Sequence, residues 1–231
     1  NIFSFKNDSL NFSPQFNLKN NKQKVLVIGD SHSKDLFNFF KTNEKKFKDY
    51  EFARYGINLT DFKNYRKKNL VNSHNFKHAN YILFSQRYKK KDLVDIQEII
   101  ELVNQNEKKL IIFLKRPQFE SNNSKNQTIL DLYYLEKKKI SSKKLMDSFL
   151  FDQLKPESFI PINDQIRKMY NDQAILFDLY PIICNNNKSL CHSVDKNGKK
   201  IFYDYGHLTL DGSKYIGNIL FNNKFHRDYL K

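Results

Sequence analysis

The sequence predicts a three-layer α/β/α domain on a parallel sheet of about five strands, and three observations carry that prediction. Short apolar runs such as Val25-Leu26-Val27-Ile28 and Leu110-Ile111-Ile112-Phe113-Leu114 read as strands buried between two layers. Segments with apolar residues at helical spacing alternate with those runs, the pattern of parallel strands with covering helices. The chain of 231 residues is long enough for one such domain with a sizeable core, and 39% of it is hydrophobic, with 21 Phe and 13 Tyr.

The elements follow in order. Residues 1–22 have no clear period and read as a lead-in segment that packs by its aromatics; the domain proper spans 23–231. The first strand runs from about Lys24 to Ile28, and a helix begins after Ser31 with Leu36, Phe37 and Phe40 on its buried face. Tyr50 to Tyr55 is the second strand, ending at Gly56, and Thr60 and Asp61 cap a helix through about Asn69. Tyr81 to Phe84 is the third strand. Leu93, Ile96, Ile100 and Val103 mark a helix over Asp92 to Val103, and the fourth strand is closed by Pro117. Residues 118–160 break the rhythm: a loop at Asn122-Asn123-Ser124, then lysine-rich helical material from Ile129 to Leu154, with Pro156 and Pro161 at the exit. This reads as a helical insertion or lid. Asn163 to Tyr170 is a helix, Ala174 to Phe177 the fifth strand, and Asp211 to Asn222 the closing helix.

The net charge of +15 invites a nucleic-acid reading, but Lys outnumbers Arg 34 to 6 and is spread over nearly every predicted helix. Arg is the usual residue for bidentate phosphate and base contacts, so nucleic acid is not the expected partner. No run approaches the roughly 18 apolar residues of a membrane span, and no signal-peptide pattern is visible. The chain begins at Asn1 rather than Met, and reads as a portion of something longer. Cys184 and Cys191 enclose a polar turn. A local disulfide in an oxidising compartment and a pair of free thiols both suit that spacing; a zinc site with His192 does not follow a usual pattern.

Two segments carry chemistry. Gly29-Asp30-Ser31-His32-Ser33 places a hydroxyl at the carboxyl edge of the first strand, where open α/β sheets bind ligands, and the Ser31 amide opens the next helix. On its own the motif reads more readily as a helix cap, with Ser31 or Ser33 as the capping residue, than as a nucleophile. Near the other end, Asp204-Tyr205-Gly206-His207 holds a carboxylate three residues before an imidazole. A serine needs a base to take its proton, and that base needs a carboxylate to fix its tautomer, so the two segments together suggest a Ser-His-Asp device. Asp30 is expected to bond backbone amides in the turn. His74 and His78 lie four apart, but Asn75 replaces the Glu of a zinc-protease motif and no helix is evident there.

The pattern resembles the SGNH hydrolase superfamily, closest to the SGNH domain at the C-terminal end of acyltransferase family 3 membrane proteins. The resemblance rests on Gly29 to Ser33, Gly56, Gln86-Arg87-Tyr88, Pro117, and the run from Cys184 and Cys191 through Asn197-Gly198 and Tyr203-Asp204 into His207-Leu208-Thr209. It covers about residues 24–220. It implies an SGNH/flavodoxin-like fold, Ser31 as nucleophile, His207 as general base and acid, and Asp204 as its orienting carboxylate. It makes the amides of Ser31 and Gly56 part of an oxyanion hole. The superfamily's oxyanion asparagine is replaced here by Ser85-Gln86-Arg87-Tyr88, which leaves Gln86 and Asn58 as candidates for the third donor. The resemblance further implies a Cys184–Cys191 disulfide, a place outside the cytoplasmic membrane, and an upstream membrane domain that relays acetyl groups. The expected reaction is transfer of an acyl group, acetyl above all, from a donor to a hydroxyl of a cell-surface glycan. Its rivals are a carbohydrate esterase and a non-catalytic glycan-binding module. The chemistry asks for no metal or nucleotide cofactor.

Overall fold

The computed structural model describes residues 13–62, 66–122, 127–128 and 142–230. Five parallel strands form the central sheet: β1 (Gln23–Gly29), β2 (Tyr50–Gly56), β3 (Tyr81–Ser85), β4 (Lys109–Phe113) and β5 (Ile175–Phe177), in the order β2-β1-β3-β4-β5. The chain goes outward from β1 to β2, then crosses back to β3 on the other side of β1. Such a reversal opens a crevice at the carboxyl ends of the central strands, and β1 delivers Ser31 into it.

Side chains alternate across the sheet, and the two sets define the outer layers. Leu26, Ile28, Ile82, Phe84 and Ile112 pack with Ile96, Ile99, Ile100 and Val103 of α2 (Ile96–Gln105) and with Ile166 and Tyr170 of α4 (Ile160–Tyr170). Val25, Val27, Leu83, Ile111 and Phe113 face the other way. They pack with Leu36, Phe39 and Phe40 of α1 (Ser31–Lys41), Leu150 of α3 (Lys143–Asp152), and Ile216 and Leu220 of α5 (Leu210–Asn222). The domain is therefore α/β/α in three layers, as expected.

Several local expectations need correction. The cap of α1 is Asp30, whose carboxylate accepts the His32 amide; neither Ser31 nor Ser33 caps it, so the Ser31 hydroxyl is left for other work. The helix expected from Thr60 to Asn69 is instead a single turn, Leu59–Asp61, capped by Asn58, and a second piece, Lys67–Asn72; residues 63–65 lie outside the description. A five-residue helix, His74–His78, stands where none was evident, because Ser73 caps it through the Phe76 amide. His74 is committed to the Phe16 carbonyl at 3.1 Å. The helix expected from Asp92 is a 3-10 turn, Lys90–Asp92, followed by α2.

Within 118–160, Ser121–Asn122 pairs antiparallel with Gln127–Thr128. The expected loop residues Asn123 and Ser124 and the stretch 129–141 lie outside the described residues, as do 1–12 of the lead-in. The described lead-in does pack by an aromatic, Phe16, which is buried. Helix α3 buries Met146 and Leu150, and its Asp147 accepts both the amide and the hydroxyl of Ser193, at 2.9 and 2.6 Å. Helix α3 is thus tied to the segment that follows the cysteines.

Candidate active site

The first turn of α1 and the loop before α5 meet at the carboxyl edge of β1. Ser31 Oγ lies 2.8 Å from His207 Nε2, across 176 residues of sequence. His207 Nδ1 faces the Asp204 carboxylate, 2.8 Å from Oδ2 and 3.1 Å from Oδ1. With the Nδ1 proton donated to Asp204, Nε2 is left as the acceptor for the Ser31 hydroxyl.

The spacing of three residues works because Asp204 closes its own turn. Its Oδ1 accepts the amides of Gly206 at 2.9 Å and His207 at 2.7 Å, so one carboxylate both shapes the loop and holds the ring. Burial by itself raises the Asp204 carboxyl. The hydrogen bond from the His207 ring and the two amides outweigh it and hold the pKa down, from 3.8 to about 2. A depressed folded pKa stabilises the fold above the unfolded value and loses that contribution as pH falls through the folded one. We therefore predict that Asp204→Asn is less stable than the parent above about pH 4, and that this gap closes between about pH 4 and 2. Thermal unfolding in that range measures it, and a gap that widens on acidification contradicts the assignment.

The loop that carries His207 is fixed from below by groups that sequence reasoning passed over. Asp35, one helical turn after Ser31, accepts the Leu208 amide at 3.2 Å and the guanidinium of Arg116 at 2.8 Å on the same oxygen. Asp35 and Arg116 are both buried. The helix that carries the hydroxyl is thereby bonded to the loop that carries the imidazole. The available signal was an Asp among Leu36, Phe37 and Phe40, and an Arg directly after an apolar strand. Burial holds His32 well below the usual histidine range, hence neutral, and Arg116 and His207 push it the same way. Its ring stands edge-on to His207 at 5.5 Å. A neutral neighbour adds no full positive charge against an imidazolium forming on His207.

Asp30 does bond backbone amides, His32 at 2.9 Å and Arg87 at 3.0 Å, one to each carboxylate oxygen. It ties the Ser31 turn to the end of β3. Burial raises its carboxyl, and the same two amides oppose that shift. A pocket of about 190 Å³ opens beside Ser31, with Gly56, Asn58, Arg54 and Arg66 in its wall. Arg54 donates to Ser33 Oγ and to the Asp30 carbonyl, both at 3.0 Å, and Arg66 pairs with Asp61 at 3.1 Å. Ser31 and Gly56 thus both line this pocket.

Of the two side chains considered for a third donor, Gln86 does not line this pocket. It is buried, and its carbonyl oxygen accepts the Leu59 amide at 3.0 Å, tying the ends of β2 and β3 together. Asn58 does line the pocket, with its side-chain N–H shared with Asp61 Oδ2 at 3.0 Å.

Cys184 and Cys191 form a disulfide and pair as the two strands of a short hairpin. Both sulfurs are used, which rules out the free-thiol and zinc readings; His192 instead lies against Tyr215, with ring centroids 5.2 Å apart. No group of three metal-ligating side chains occurs among the described residues. No helix among them is long and apolar enough to cross a membrane.

A five-stranded parallel sheet in this order, covered by helices on both faces, is the fold of the SGNH/GDSL hydrolases. Within that class the chain belongs to the family of SGNH domains fused to AT3 domains, which it matches over residues 5–221. Among solved structures it is similar to the periplasmic domain of a lipopolysaccharide acetyltransferase from Salmonella ser. Paratyphi A. Identity is 17%, coverage 91% of this chain and 90% of that one, and the TM-score 0.58. It is also similar to a GDSL-like lipase from Bacteroides thetaiotaomicron, at 14% identity, coverage 93% and 91%, and a TM-score of 0.50. No curated protein sequence matches the chain significantly.

Proposed function

We propose that this domain transfers a short acyl group, acetyl above all, to a hydroxyl of a cell-surface glycan through an acyl-serine at Ser31. The observation that carries the reading is the continuous hydrogen-bonded line from Ser31 Oγ through His207 to Asp204. His207 Nε2 takes the hydroxyl proton as Oγ bonds to the acyl carbon. The oxyanion that forms faces the amides of Ser31 and Gly56 at the positive end of α1, with Asn58 in the same wall. Collapse breaks the bond to the donor, and the imidazolium returns its proton to the leaving oxygen. A sugar hydroxyl then gives its proton to His207, attacks the acyl carbon, and leaves with the acyl group as Ser31 recovers its proton. Asp204 stays ionised throughout, as its low pKa allows.

The pocket beside Ser31, about 190 Å³, is smaller than the roughly 300–1,000 Å³ of sites for drug-sized ligands and suits a short acyl group. Membership of a family fused to AT3 domains supports a donor relayed from a membrane domain. The disulfide requires an oxidising compartment, and the Salmonella neighbour is periplasmic, which together support a place outside the cytoplasmic membrane.

Incubation with p-nitrophenyl acetate and an oligosaccharide, followed by mass spectrometry, tests the proposal. Acetylated Ser31 and acetylated sugar are the expected products. Acetylated Ser31 with free acetate alone makes the domain an esterase, and an unmodified Ser31 leaves the glycan-binding module.

A further inference from the structure

Two cations lie just past the carboxyl ends of β3 and β4, at the same sheet edge as Ser31. In that pair of strands Ser85 is in register with Phe113, so Arg87 and Lys115 are the counterparts two residues past the carboxyl ends. The Arg87 amide is bonded to Asp30 Oδ2, which anchors it next to the residue that precedes Ser31. Its guanidinium lies over the ring of Tyr205 at 4.9 Å and donates to the Tyr205 hydroxyl, and the Tyr205 ring is 6.2 Å from that of His207. Tyr205 is the sole partner of the Arg87 side chain among the described residues, and it engages one of five N–H donors.

Lys115 is the less ordinary of the two. Its backbone is clamped on both sides by Asn163, at 2.8 and 2.9 Å, and the residue is only 7% exposed. Its ammonium has no hydrogen-bond or ion-pair partner among the described residues. Burial lowers its pKa and Arg87 lowers it further, with no acidic group acting in the opposite sense. Its stem is buried while the ammonium reaches solvent, next to a like charge that disfavours the charged form. An anion held between the two cations relieves that repulsion.

We propose that Arg87 and Lys115 form a subsite for an anionic group, carboxylate or phosphate, on the sugar that accepts the acyl group. The inference rests on the acyl-transfer reading and adds the charge class of its acceptor. Tyr205 holds the Arg87 fork in place, while Lys115 supplies a second charge.

Binding to the Ser31→Ala protein, which does not depend on turnover, tests it by calorimetry with trigalacturonate, galactose 6-phosphate and neutral galactotriose. An anionic sugar is expected to bind at least roughly tenfold more tightly than galactotriose, with the preference weakened by salt. Stronger binding of the phosphate or of the uronate names the group. Arg87→Gln with Lys115→Met should abolish the preference, and Arg87→Lys should restore part of it. Lys144→Gln with Lys168→Gln, both exposed residues of α3 and α4, should keep it, which separates a site from the general attraction of a chain with charge +15. Equal binding of neutral and anionic sugars, or equal loss in the Lys144/Lys168 pair, overturns the inference. Acetylation of parent Ser31 by p-nitrophenyl acetate is scored alongside: if it fails, the acyl-transfer reading fails, and if it succeeds without an anion preference, only the subsite does.

Discussion

Ser31→Ala and His207→Ala are each expected to lower kcat for p-nitrophenyl acetate by roughly 10⁴ to 10⁶, and the double variant to lose no more than either single one. The reason lies in the shared proton. Ser31 Oγ and His207 Nε2 are 2.8 Å apart, so neither group works once the other is gone, and the losses do not add. What survives comes from the oxyanion donors, each worth a factor of about 10²–10³. Ser31 and Gly56, whose amides are proposed for that role, both line the pocket beside the hydroxyl. Stopped-flow or steady-state kinetics on the three variants decides the matter. Losses that multiply in the double variant mean that Ser31 and His207 act separately, and an active Ser31→Ala protein ends the serine mechanism.

Gly29→Ala is expected to be the most damaging single substitution away from the reacting groups. Gly29 has φ +134°, a conformation closed to L side chains, and an added Cβ would sit 1.9 Å from the Ser85 carbonyl oxygen. That oxygen belongs to β3, the neighbour of β1, and cannot move without breaking the centre of the sheet. Strain and overlap together place the loss above about 4 kcal/mol, which for a domain of this size lowers Tm by more than roughly 10 °C. Differential scanning calorimetry measures it. Gly56→Ala serves for comparison: its Cβ meets the Arg54 guanidinium at 3.1 Å, the mobile end of a long side chain, and should cost much less. Equal stability of the two variants contradicts this account of Gly29.

Much of the fold was legible before any coordinates. All five sheet strands lie within a residue or two of their expected bounds, because runs such as Val25 to Ile28 are apolar on both faces and have no other stable place. Errors gathered where local chemistry competes. The helix expected at Thr60 was displaced by Asn58, a better cap two residues earlier, and the one at His74 was unexpected because Ser73, its cap, was passed over. The helix through Asp92 broke because Asp92 accepts the Lys89 amide at 3.0 Å and closes a tight turn before α2. Ser31 itself was ambiguous until Asp30 was seen to take the capping role.

The site divides in the same way. Ser31, Asp204 and His207 were nameable from sequence because a hydroxyl after a strand and a carboxylate three residues before an imidazole are local patterns, set by chain geometry over a few bonds. Arg87, Lys115, Asp35 and Arg116 were not assigned roles, because each acts across long intervals. Asp35 and Arg116 meet 81 residues apart, and Arg87 reaches Tyr205 across 118. The sequence by itself determined the layered fold, the carboxyl edge that carries Ser31, and the residues Ser31, His207 and Asp204 that the fold brings into one hydrogen-bonded line. Only the tertiary structure decided which carboxylate caps α1, that Gln86 Oε1 braces the Leu59 amide, and that Arg87 and Lys115 stand at matching positions past the ends of β3 and β4. Capping, bracing and charge proximity depend on which strands become neighbours, and that is settled by burial of the whole sheet.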